Sequence, residues 1–133
     1  MATMPVLTDD ALSAEAAEVF ADIRATRGSD FVNNVWRVLA NDPPLLRRTW
    51  EQAKSVMGTP GALDPLTREM IYVAVSIANG CEYCVHSHTA FAKAKGMTPE
   101  QHAELISIVM LASSTNALSH ALQVPVDPEF QAE

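Results

Sequence analysis

Proline and glycine in this chain sit where helices begin and end, while signals for paired strands are nearly absent. Asp9 and Asp10 precede Ala11 to Arg27, whose apolar residues Leu12, Ala16, Val19, Phe20 and Ile23 recur at helical spacing up to a stop at Gly28. A second run, Phe31 to Ala40, ends at Asn41-Asp42-Pro43, because proline cannot continue a helix and disfavours helical geometry in the residue before it. Pro44 suits the first turn of a third helix, Leu45 to Met57, closed by Gly58. After a turn-rich loop, Asp64-Pro65 reads as an N-cap and first-turn proline opening Leu66 to Asn79. That segment is almost wholly apolar beyond Glu69, which predicts burial on most faces, in a core or between subunits. Cys81 to Lys95 follows, with Gly96 at the place of a C-terminal cap. Thr98-Pro99-Glu100-Gln101 is a capping box for a last helix reaching about Leu122. An irregular tail is expected over 124–133. The class is all-α, with about six helices in one domain over residues 1–133, since 133 residues leave no room for a second module.

Apolar residues make up 48% of the chain and charged residues 19%, enough for a packed core and too apolar for disorder. Nine Lys and Arg against sixteen Asp and Glu give a net charge of −7. An anion of that size repels phosphate backbones, and Arg47-Arg48 is the only adjacent basic pair, so nucleic acid is not an expected partner. The longest apolar run, Ile71 to Ala78, falls far short of the ~20 residues a bilayer span requires, so no membrane association is expected. Met1 to Asp10 has no Lys or Arg and does not read as a secretory signal. The expected location is the cytoplasm, where a C-x-x-C pair more often serves catalysis or metal binding than structure.

The segment Cys81-Glu-Tyr-Cys84-Val-His86-Ser-His88 carries the chemistry. On a helix, Cys84 lies about 60° around from Cys81 and His88 about 40° from Cys84, whereas His86 points to another side. Helical side chains lean toward the N-terminus, so His88 tilts back toward Cys84 and not toward Cys81, about 10 Å away along the axis. Both cysteines also sit where unpaired N–H groups and the helix dipole favour thiolates. The dipole favours Cys81 and the histidine favours Cys84. Glu69 opens the helix that runs straight into Cys81, so two packed consecutive helices would let it orient His88 as the third member of a nucleophile–base–orienter set. Three other readings compete. The thiols could be buried spectators. They could form an inert disulfide closing a loop too short to constrain much. They could bind zinc with His88 and either Glu69 or His86, although His102 and His120 supply no second ligand pair. Trp36, Trp50, Phe20, Phe31 and Phe91 and the methionines are read as packing residues.

A glutamate, eleven residues, then C-x-x-C-x-x-x-H resembles the alkylhydroperoxidase D-like family within the carboxymuconolactone decarboxylase superfamily. Here the pattern is Glu69, Cys81, Cys84 and His88, within the phrases Arg68-Glu69-Met-Ile and Asn79-Gly80-Cys-Glu-Tyr-Cys84. The likeness covers about residues 39–113. It implies an all-helical fold assembling as a homotrimer or homohexamer, and reduction of hydroperoxides by the cysteine pair without a bound cofactor. It implies that Cys84 attacks the peroxide, Cys81 resolves the sulfenic acid to a disulfide, and Glu69 with His88 relays the proton. The implied electron donor is an external dithiol, in the characterised branch a lipoylated protein. Tyr83 departs from the pattern, standing where that branch has a histidine. With an ordinary pKa near ~10 a tyrosine is a poor base, so it is carried as an auxiliary candidate only. His86 reads as a surface histidine. Decarboxylase members of the superfamily generally lack the cysteine pair, which disfavours lactone decarboxylation. Two alternatives stand beside the peroxidase: a zinc-stabilised helical interaction module, and a redox-sensing oligomer without efficient turnover.

Overall fold

A computed structural model describes residues 1–131 and forms six α-helices, α1 (Ala14–Arg27), α2 (Asn34–Leu39), α3 (Pro43–Ala53), α4 (Pro65–Ala78), α5 (Glu82–Ala94) and α6 (Pro99–Ala121), with no strand among the described residues. Side-chain caps explain most of the boundaries. Asp42, Asp64 and Thr98 each accept the backbone N–H three residues on, at 3.1, 2.9 and 3.1 Å, and Thr98 with Gln101 completes the capping box. Gly28 ends α1 in the left-handed region, at φ +62°.

The first helix departs from expectation. Ser13 is its N-cap, accepting from Ala16 N–H at 3.2 Å, and Asp9 and Asp10 lie instead in a short 3-10 turn, Asp9–Ala11. The Asp9 carboxylate is taken by Arg24 at 2.6 Å and Arg37 at 3.0 Å. The second helix starts at Asn34, three residues later than the apolar pattern suggested. The third starts at Pro43 and widens into a π turn over Lys54–Gly58, where Lys54 Nζ reaches Asp22 at 2.8 Å. In the tail a 3-10 turn occupies Pro128–Phe130, and residues 132–133 of the expected irregular segment lie outside the described residues.

Contacts gather the chain into two helical units, Met1–Gly61 and the remainder from Ala62. The first has its own core, in which Phe20, Ile23 and Leu46 are fully buried and Trp36 meets Trp50 edge to face at 5.5 Å. In the second unit α4 packs closely along α5 and also against α6, around Val73, Ala92, Met97 and Leu105. Burial on most faces of α4 is not met within this chain, since Ile71, Tyr72 and Val75 are exposed. Two neighbouring helices cover only part of its circumference. Much of α6 is likewise uncovered, with Met110 71% and Leu111 64% exposed. Apolar surface on this scale marks an association face. We therefore expect sedimentation equilibrium at micromolar concentration to show a homotrimer or homohexamer, and a stable monomer would contradict this. Among the described residues, no helix is long and apolar enough to cross a membrane.

Candidate redox site

The α4–α5 junction places both cysteines at a helix start. Asn79 caps α4, Gly80 turns through φ +67°, and Cys81 N–H returns to the Ser76 carbonyl at 3.0 Å. Only a residue without Cβ takes that φ at little cost, which is why glycine stands there. Cys81 is the N-cap of α5, and its Sγ occupies the place of the usual capping oxygen, accepting from Cys84 N–H at 3.3 Å. Cys84 is the third residue of the helix. The two are joined as a disulfide, with Cα atoms 5.3 Å apart, inside the normal range for such a bond.

One turn further along α5, a second constellation centres on His88. Glu69 of α4 is only 5% exposed, yet its carboxylate has partners on both oxygens. His88 Nδ1 lies 2.7 Å from Oε2 and Lys95 Nζ 2.9 Å from Oε1. Burial pushes the Glu69 carboxyl up, but the hydrogen bonds from His88 and Lys95, aided by the lysine charge, outweigh it and hold the group below its ordinary value. A carboxylate that stays ionised accepts and does not donate, so His88 Nδ1 carries the hydrogen and neutral His88 keeps Nε2 free of a proton. The imidazole is held flat against Tyr72, with centroids 3.5 Å apart and planes 16° from parallel, while Phe91 meets it edge-on at 5.7 Å. Helical repeat sets His88 one turn beyond Cys84.

The structure thus brings Glu69 to His88, and Cys81 to Cys84. Tyr83 lies in the first turn of α5 and is 41% exposed. His86 is exposed and borders an open groove with Ser76, Ile77, Gly80, Glu82 and Val85, away from the Glu69–His88 pair. Among the described residues no three or more His, Cys, Asp or Glu side chains converge as metal ligands would. Sequence reasoning missed Lys95 and Tyr72. A register argument would have found both, since Lys95 lies about 20° around the helix from His88 and Tyr72 about 60° from Glu69.

An all-helical chain with this cysteine pair and this carboxylate–imidazole pair matches the carboxymuconolactone decarboxylase family over residues 43–127. The chain belongs to that family, in its alkylhydroperoxidase D-like branch. The match reaches further toward the C-terminus than the motif region at 39–113 suggested. The crystal structure of an alkylhydroperoxidase AhpD core from Rhodospirillum rubrum is 65% identical, with a TM-score of 0.96, covering 100% of this chain and 99% of that one. Alkyl hydroperoxide reductase AhpD of Mycobacteroides abscessus is 33% identical over 111 residues, covering 81% of this chain and 58% of its own length. The namesake protein of Solibacter usitatus is 35% identical over 65 residues, covering 49% of this chain and 35% of its own. The chain therefore spans between about a third and three fifths of the curated AhpD proteins it matches.

Proposed function

We propose that this protein reduces hydroperoxides with its own cysteine pair, using an external dithiol as electron source and no bound cofactor. The observation that carries the reading is the hydrogen bond from buried Glu69 of α4 to His88, which stands on the helix of the Cys81–Cys84 disulfide one turn beyond Cys84. In the reduced state Nε2 of His88 takes the Cys84 thiol proton. The thiolate sulfur attacks the terminal peroxide oxygen, the O–O bond breaks, and Cys84 is oxidised to a sulfenic acid. The proton held by His88 goes to the departing alkoxide, giving an alcohol. Cys81 sulfur then attacks Cys84 sulfur; the S–S bond forms, the S–OH bond breaks, and the hydroxyl leaves as water with the Cys81 proton. This returns the disulfide seen here. A dithiol, free or as a lipoyl group on a partner protein, reduces that disulfide by exchange and is itself oxidised by two electrons.

Glu69 and His88 in this scheme serve the proton, and Tyr83 at the helix start is an auxiliary at most. The family, the AhpD relatives and the paired thiols support the scheme. Cumene hydroperoxide consumption, with dihydrolipoamide or dithiothreitol as alternative donors, tests it. The expected result is many turnovers per chain, with one dithiol oxidised per peroxide reduced. A single turnover that cannot be recycled by any dithiol would favour the redox-sensing oligomer. One zinc per chain by metal analysis, with no turnover, would favour the interaction module.

A further inference from the structure

Lys95 is the C-cap of α5, where a lysine commonly does no more than complement the helix dipole with a solvated charge. This one is exposed, yet its head group is engaged. Its backbone N–H is tied to the carbonyls of Phe91 and Ala92, and its Nζ reaches the buried Glu69 carboxylate at 2.9 Å while lying 5.6 Å over the Phe91 ring. Phe91 in turn meets the edge of His88. Glu69 Oε1 is thereby occupied, and Oε2 faces the imidazole. We propose that Lys95 is a positioning residue of the proton relay: its ammonium holds one oxygen of the Glu69 carboxylate, fixes the other toward His88 and shares the carboxylate's charge. The proposal rests on the peroxidase reading for its purpose, and on the contacts alone for its physics.

The side chains bonded to the Glu69 carboxylate are those of His88 and Lys95. Arg68, its neighbour on α4, donates instead to the Leu63 carbonyl at 3.0 Å. Tyr72 of α4 presents its ring face to His88. From α6, which packs against α4, no hydrogen bond or ion pair reaches Glu69 among the described residues. On α5, Glu82 and His86 border the groove that excludes Glu69 and His88, His86 pointing to another side of the helix than His88. Lys95 is thus the cation that competes with a protonated His88 for one carboxylate. Removing it leaves the full negative charge to the imidazolium, which then holds its proton to higher pH.

The test is a proton NMR titration of the imidazole Cε1–H signals in the oxidised protein, with His88 assigned by the signal lost in His88→Gln. Relative to the unmodified chain, Lys95→Met and Lys95→Gln should each raise the His88 midpoint by on the order of one pH unit. Lys95→Arg, which keeps a cation there, should restore it to within a few tenths. The acid limb of the peroxide-consumption rate should move the same way. Lys95→Gln retains a hydrogen-bonding head and keeps the test available where Lys95→Met folds poorly. An unchanged His88 midpoint in the neutral variants, whatever happens to their melting temperature, overturns the proposal. The titration needs no peroxide. A chain that shows the shift but turns over no hydroperoxide would sink the peroxidase reading and leave the assignment of Lys95 standing.

Discussion

A Cys81→Ser protein will consume one equivalent of hydroperoxide and stop at a sulfenic acid on Cys84 that dimedone traps, whereas Cys84→Ser will show no such rapid step. The reason is the direction of α5. Helical side chains lean toward the N-terminus, and the residue one turn before His88 on α5 is Cys84. The base nitrogen of His88 is available because Nδ1 is committed to Glu69 at 2.7 Å. Cys81 has a different advantage. As the N-cap it lies nearer the positive end of the dipole, and its sulfur accepts the Cys84 N–H. A dipole stabilises a thiolate without delivering a proton to the leaving oxygen, so it favours ionisation and not the whole of the step. The Cys81 sulfur is then suited to the second event, displacement of water from Cys84, which needs a thiolate held close. Intact-mass analysis after dimedone treatment distinguishes the two assignments. Labelling of Cys81 in Cys84→Ser at an undiminished rate would reverse them.

The site was legible where its signals were local. The cysteine pair, its helix start and the aligned histidine share one short stretch of sequence, and the helix repeat alone orders them. Asp64 and Thr98 were legible as caps for the same reason, because a cap bonds only three residues away. Ser13 was missed because Asp9 and Asp10 offer the same cap signal earlier, and only the fold shows Asp9 engaged by Arg24 and Arg37. Lys95 was missed because a lysine closing a helix is ordinary until a buried carboxylate lies within its reach. The apolar excess of α4 and α6 was legible, since they carry more apolar surface than six short helices can hide in one chain, but which of their faces stay uncovered was not. An apolar helix looks the same in sequence whether its neighbours come from its own chain or from another copy. Tyr72 shows the cost of that ambiguity, for it reads as one more residue of an apolar run and instead stacks on His88.

Replacing His88 by Gln, or Glu69 by Gln, should slow peroxide attack at neutral pH by about 10²–10⁴-fold, the range for loss of a positioned base. The two substitutions act at different points of one relay. His88→Gln removes the group that takes the thiol proton. Glu69→Gln leaves His88 in place and swaps a charged acceptor for an amide, so the imidazolium formed during the step loses its counter-charge and Nδ1 can meet an amide NH₂ in place of an oxygen. The amide also leaves Lys95 without its anion beside a buried site. Raising the pH should recover part of the rate in both variants, because solvent then generates the thiolate directly. The acid side separates them further. The Glu69 carboxyl is held below its ordinary value, so the stability its contacts supply is present in full above the usual glutamate range and is lost as the pH falls through the lowered value. Glu69→Gln should abolish that part of the acid dependence of unfolding, while His88→Gln should keep the part that comes from Lys95. Stopped-flow peroxide consumption against pH, with thermal unfolding over the same range, reads both effects. A His88→Gln protein that reacts at an undiminished rate near neutrality would leave the helix dipole as the activating element and remove the relay from the mechanism.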